Sequence, residues 1–143
     1  MIVGFTGTQA GMGLLQKRIF CGIINHIKPS AFHHGDCCGA DADAHKIIQA
    51  MGIPIVIHPP SDSKKRAWCP LVLTRAPALS DKCLKAKQYI PRNHDIVDAA
   101  DFMIGIPRLK FEEQRSGTWA TIRYSRKIHK DCCIIYPDGF LGK

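Results

Sequence analysis

Phe102-Met103-Ile104-Gly105-Ile106-Pro107, followed after a charged loop by Arg115-Ser116-Gly117-Thr118-Trp119-Ala120-Thr121, is the stretch on which the fold turns. Its first part is a short apolar run closed by proline, which reads as a buried strand. Its second part sets a glycine between two hydroxyls just ahead of a helical pattern that reaches about His129. The first turn of such a helix carries backbone N–H groups with no partner inside the helix, and the helix dipole favours an anion beside them. Taken alone, the same residues also make an ordinary helix cap, because Ser and Thr are favoured N-caps everywhere.

The same unit recurs toward the N-terminus. Residues 2–5 form a short apolar strand, and Thr6-Gly7-Thr8-Gln9-Ala10-Gly11-Met12-Gly13 follows as a glycine-rich turn. Leu15, Ile19, Ile23 and Ile27 then repeat at i, i+4 spacing, with Phe20 and Ile24 widening the stripe, as in an amphipathic helix ended by Pro29. A second strand is expected over 30–34. It runs into the glycine-bounded loop Gly35-Asp36-Cys37-Cys38-Gly39-Ala40-Asp41 and a helix with Ala44, Ile47, Ile48 and Met51 on one face. Gly52 suits the helix end, and residues 53–57 read as a third strand. Alternation of this kind specifies a parallel sheet with right-handed crossovers.

Residues 58–80 carry Pro59, Pro60, Pro70 and Pro77 with no period, and are expected to be a long loop or insertion in which Trp68 stacks on a base, packs at an interface or anchors the loop to the core. A helix is expected over 80–89 and another opened by Pro91-Arg92-Asn93, with Ile96, Val97 and Ala100 inward. The fourth strand is 102–106 and the fifth 132–136, after which Pro137-Asp138-Gly139 ends regular structure. The expectation is therefore one α/β Rossmann-like domain over 1–143, with a five-stranded, mostly parallel sheet and helices on both faces.

The 143 residues suffice to bury a core without disulfides or metals, and 45% hydrophobic with 22% charged residues is ordinary for a globular chain. No apolar run approaches the roughly 20 residues of a membrane span, and no basic leader precedes Ile2, so neither membrane nor secretion is expected and the cytoplasm is. Seven cysteines, four of them in the adjacent pairs Cys37-Cys38 and Cys132-Cys133, argue against a disulfide framework. His33, His34, Cys37 and Cys38 lack zinc spacing, so no metal is expected. The formal net charge of +8 favours phosphorylated or polyanionic partners. The first loop has neither the GxGxxG of a dinucleotide fold nor the GK[ST] of a P-loop.

Thr6-Gly7-Thr8, the Gly35 to Asp41 loop with its Gly39-Ala40-Asp41-Ala42-Asp43-Ala44 run, Arg92-Asn93 and Arg115-Ser116-Gly117-Thr118 together resemble the SLOG superfamily, and within it the small YspA-like nucleotide-binding proteins. The resemblance covers nearly the whole chain outside the loop after His58. It implies a domain that binds a nucleotide or nucleotide-derived ligand without a further cofactor, and relatives that assemble as dimers or larger. Gly117 and Thr118 would hold a phosphate with Ser116 assisting, and Thr6, Gly7 and Thr8 would line the other wall. Gly35, Gly39, Ala40 and Asp41 would complete the site, with Arg92 and Asn93 contacting phosphate or ribose. Asp36 and Asp41 are the carboxylates expected nearest the sugar, and either would stabilise an oxocarbenium-like transition state if a glycosidic bond were cut.

The superfamily's LOG phosphoribohydrolases carry PGGxGTxxE, and Thr121 stands here where they keep the glutamate. Ligand binding is accordingly the leading reading. Hydrolysis of an N-glycosidic or phosphoribosyl bond is the second, with Asp36, Asp41 or Glu113 as the carboxylate. A single-strand nucleic-acid binder similar to DprA is the third. Cys37, near a helix start, is a candidate nucleophile or a passive packing residue. Of His33 and His34, one is expected to face the core and the other to approach the site.

Overall fold

The computed structural model of the chain describes all 143 residues, Met1–Lys143. Its centre is a seven-stranded sheet: β1 (Ile2–Gly7), β2 (Ala31–His34), β3 (Ile55–Ile57), β4 (Lys82–Cys83), β5 (Phe102–Ile106), β6 (Asp131–Ile135) and β7 (Leu141–Gly142). The spatial order is β4-β3-β2-β1-β5-β6-β7, with all pairs parallel except β6 and β7. Four α-helices connect the strands: α1 (Leu14–Ile27), α2 (Ala40–Ala50), α3 (Tyr89–Ala99) and α4 (Gly117–Lys127). No helix is long and apolar enough to cross a membrane.

Side-chain alternation along the central strands decides which helix lies where. Val3 and Phe5 of β1, Phe32 of β2 and Ile104 and Ile106 of β5 pack with Phe20 and Ile24 of α1 and Ala44 and Ile48 of α2. The residues between them on β1 and β5 face α3 and α4: Met103 meets Ile96, Val97 and Ala100, and a Cβ on Gly105 would lie 2.7 Å from Ile122. Gly4 and Gly105 thus let the second pair of helices approach the sheet closely. Helices cover both faces, as expected.

Two differences in the sheet come from contacts that local pattern does not encode. The helix expected over 80–89 is absent: residues 80–88 are not helical, and Tyr89 already opens α3. Asp81 is buried, its Oδ1 accepting from Ile55 N at 2.8 Å and its Oδ2 from Val72 N at 2.8 Å, and this draws Lys82 and Cys83 alongside Val56 and Ile57 as β4. Tertiary hydrogen bonds to a buried carboxylate override helix propensity here. After Pro137-Asp138-Gly139 the chain turns back through Gly139 at φ +85° and adds β7 antiparallel to β6, so the expected five strands become seven. In α1 the residues fully buried are Gln16, Phe20 and Ile24. Leu15 is exposed and Ile19, Ile23 and Ile27 are half-buried, so the inward face lies beside the stripe read from the sequence.

Candidate functional site

Chain order and spatial order part company between β1 and β5. After β1 the chain adds β2, β3 and β4 on one side, then returns to place β5 on the other. Loops leaving the carboxyl ends of two strands at such a point diverge and open a crevice between them. A cleft of about 600 Å³ lies there. Phe5 to Ala10 form one wall, and Arg108, Glu113, Arg115, Ser116, Gly117 and Thr118 the other. Gly35, Cys37 and Asp41 enter from the β2 loop, Tyr89, Arg92, Asn93 and Ile96 from α3, and Lys65 from the proline-rich segment.

Ten of the expected site residues come together in this cleft: Thr6, Gly7, Thr8, Gly35, Asp41, Arg92, Asn93, Ser116, Gly117 and Thr118. Ser116 is the N-cap of α4, its Oγ accepting from Trp119 N at 3.3 Å. Its hydroxyl is thus committed to the helix, while Gly117 N–H and Thr118 N–H, in the first turn, have no partner within it. A Cβ on Gly117 would meet nothing within 4 Å. The space in front of the helix start is open.

Gly39 and Ala40 do not line the cleft. Gly39, at φ +94°, lies so close to the Gln9 carbonyl that any side chain would collide with it, and Ala40 N donates to Thr8 O at 2.9 Å. A Cβ on Gly7 would in turn lie 2.5 Å from that of Ala40. These small residues lock the β1 and β2 loops together, which is why they accompany the site without facing it.

Asp36 also departs from the expected sugar contact. Its side chain is fully buried away from the cleft, with Oδ2 accepting from Arg66 Nε at 2.9 Å and Oδ1 from Cys69 N at 2.9 Å. Its carbonyl accepts from Ala67 N at 2.7 Å, and Cys38 N donates to Lys65 O at 2.9 Å. Asp36 therefore straps residues 63–69 against the β2 loop, and the strap carries Lys65 to the cleft. Trp68 stays 62% exposed at φ +56°, with the Arg66 guanidinium stacked 3.7 Å from its ring centre, so it is not anchored in the core.

Asp41 is the carboxylate that does reach the cleft. Its Oδ2 accepts from Gly35 N and Cys37 N, both at 3.1 Å. Burial pushes its pKa up to about 6, against the pull of those N–H groups and of the Arg92 charge. Arg92 is 4% exposed. Nη1 donates to Gly35 O at 2.5 Å and to His58 O at 3.1 Å, Nε donates to Asn93 Oδ1 at 2.7 Å, and Nη2 reaches Cys37 Sγ at 3.6 Å. None of the six ion pairs in the structure includes Arg92, Arg115 or Lys65, whereas Arg108 is held by Glu113 at 2.7 Å. The Cys37 thiol is pushed up to about 11, first by burial and then by Asp41, so it is held in the thiol form and is no activated nucleophile.

No family model matches the chain, and no curated protein sequence does either. Solved structures do. The molybdenum cofactor binding protein from the phototrophic bacterium Rippkaea orientalis superposes with a TM-score of 0.67 at 14% sequence identity, covering 94% of this chain and 76% of its own. A structural genomics consortium target designated TM1055 superposes with a TM-score of 0.61 at 13% identity, covering 92% of this chain and 71% of its own. What is shared at such identities is the Rossmann-like α/β fold.

The two adjacent histidines lie outside the cleft. His33 Nδ1 lies 2.9 Å from His58 Nε2, and His34 belongs to a buried chain. Asp36 N donates to His34 Nδ1 at 3.0 Å, which leaves the His34 proton on Nε2 facing His45 Nδ1 at 2.9 Å, and His45 Nε2 then donates to Pro70 O at 2.7 Å. His34, His45 and Cys69 approach within metal-ligand range of one another. With Nδ1 of His34 already accepting from Asp36 N, His34 and His45 are joined in a hydrogen-bonded chain that ends on Pro70 O, and Cys69 Sγ lies beside it.

Lys65, Tyr89 and Arg108 reach the cleft without having been expected there, whereas Cys37 and Glu113, the candidate nucleophile and one of the candidate carboxylates, reach it as well. Lys64-Lys65-Arg66 reads in sequence as a solvated basic cluster. The one signal pointing elsewhere was its place within a proline-rich insertion that follows a strand.

Proposed function

We propose that this chain binds a nucleotide or nucleotide-derived, phosphoribosyl ligand in the cleft between β1 and β5. The observation that carries the reading is the start of α4: Gly117 and Thr118 present unpartnered backbone N–H groups to a cleft at the topological switch point, beside an unpaired Arg115. Thr6, Gly7 and Thr8 form the facing wall, and Asp41 with the Arg92-Asn93 pair lies at the deeper end, suited to ribose hydroxyls and a further polar group. A neighbour of the same fold, the molybdenum cofactor binding protein, supports a small-molecule ligand.

Calorimetry with AMP, ADP-ribose, NAD and cyclic nucleotides tests this, paired with Gly117→Asp. That substitution has room for its side chain, and its carboxylate favours the helix start, so it keeps the fold while repelling a phosphate. Binding by the native chain that the variant abolishes supports the reading; absence of binding by any of these ligands refutes it.

A second reading is favoured by two cleft carboxylates, Asp41, pushed up to about 6, and Glu113. A carboxyl that holds its proton near neutral pH suits a general acid, and cleavage of an N-glycosidic bond would use one. Chromatography of nucleoside monophosphates after long incubation at high protein concentration decides it, since absence of free base excludes hydrolysis.

A further inference from the structure

We propose that the cleft selects ligands with two acidic groups, a terminal phosphate at the start of α4 and a second carboxylate or phosphate at Arg92. This rests on the phosphate reading above and adds a second charge requirement to it.

Arg92 is only 4% exposed, yet every hydrogen-bond partner of its guanidinium is neutral: two carbonyls, the Asn93 amide and the Cys37 thiol. Asp41 lies near enough to interact with that charge but makes no ion pair with it, its Oδ2 being held by two backbone N–H groups. A guanidinium withdrawn from water without a carboxylate in contact is costly, and an anion in the adjoining cleft offsets that cost. Its Nη2 has the thiol as sole partner, a weak acceptor that a ligand oxygen would better.

Tyr89 supplies a second, independent observation. Its hydroxyl is shielded from solvent and has no hydrogen-bond partner, while the Arg92 guanidinium lies 5.3 Å from its ring centre. Shielded hydroxyls are as a rule hydrogen-bonded. A single acidic group in the cleft would accept from both the phenol and Nη2.

This pair of donors lies on the β2 side of the cleft, and the start of α4 on the β5 side. The guanidinium is tied to the Gly35 carbonyl at the end of β2, whereas α4 follows β5, and β1 lies between these strands. Two strand spacings separate the carboxyl ends of β2 and β5 by about 10 Å. One phosphate does not bridge that distance, but a mononucleotide bearing an acid on its base or sugar does.

Matched probes isolate the second charge. Nicotinate and nicotinamide mononucleotides differ by a carboxylate against a carboxamide, and adenosine 3′,5′-bisphosphate and AMP differ by a phosphate. Calorimetry is run on the native chain, Tyr89→Phe, which removes a hydroxyl that bonds nothing, and Arg115→Ala. The expected result is that the more acidic member of at least one pair binds about tenfold tighter. Tyr89→Phe reduces that preference at least about threefold without weakening the less acidic member, and Arg115→Ala weakens all four alike. Equal affinities within both pairs, or a preference that Tyr89→Phe leaves intact, overturn the proposal while the phosphate reading stands. Absence of binding by all four overturns this proposal, and the phosphate reading falls with it when ADP-ribose, NAD and the cyclic nucleotides also fail to bind.

Discussion

Removing the Asp36 carboxylate should release the strap that carries Lys65 to the cleft. The side chain is fully buried and holds two partners at 2.9 Å, Arg66 Nε and Cys69 N. Two substitutions separate the contributions. Asp36→Asn retains an acceptor for Cys69 N and tolerates the φ of +54° found there, but sets an amide against a guanidinium in place of a charge-assisted bond. The loss of such a bond costs roughly 1.5–3 kcal/mol. Asp36→Ala gives up both bonds, leaves the Arg66 charge largely buried and strains a residue with a Cβ in the left-handed region, for a total of about 4–5 kcal/mol. At roughly 3 °C per kcal/mol for a chain of this size, the melting temperature falls by about 6 °C and then about 13 °C. Limited trypsin digestion reads the strap itself, since Lys64, Lys65 and Arg66 all lie in it: cleavage should accelerate in the order native, Asp36→Asn, Asp36→Ala. If both variants melt within 2 °C of the native chain (about 0.7 kcal/mol) and resist trypsin equally, Asp36 does not hold the strap.

Gly39→Ala should cost at least about 3 kcal/mol, because φ +94° disfavours any Cβ and the Gln9 carbonyl occupies its space; a denaturant midpoint near that of the native chain would contradict the locking of the two loops. Acid should destabilise the fold below about pH 6.5. Burial, aided by His33, lowers His58 to about 4, and burial also lowers His33 and His34, so the unfolded chain takes up protons from pH 6.5 downward that the folded chain refuses. Asp41 works in the opposite sense, since its raised value lets the folded chain keep a proton between about 4 and 6. Three histidines outweigh one carboxylate. Unfolding free energies from urea titrations should therefore fall between pH 7 and pH 5 by an amount on the order of 2 kcal/mol, and His58→Asn should flatten that slope.

The central unit was legible because its signals are local. Apolar runs at 2–5 and 102–106 and the glycine-bounded loops after them fix strand, turn and helix in succession, and right-handed crossovers then bring those loops to one edge. The choice of cleft followed, and ten expected residues meet there. What sequence did not reveal was settled by long-range polar contacts. Asp81 draws 82–83 into the sheet, and Asp36 faces Arg66, thirty positions away, and not a sugar. Nothing in the spacing of a carboxylate tells whether a backbone N–H elsewhere will claim it. The same holds for Cys37: proximity to a helix start suggested an acidic thiol, but burial beside Asp41 raises it instead.

Both margins of the sheet end in strands of two residues, β4 carrying Lys82 and β7 folded back from the turn at Gly139. A neighbouring chain seeking to extend the ladder would find a template too short to register on, with a charge at one border. A second copy of this chain would find its apolar contacts elsewhere, on exposed side chains of the proline-rich segment such as Leu73 and Leu79, and a mutation that lengthened either margin would invite pairing of sheets edge to edge.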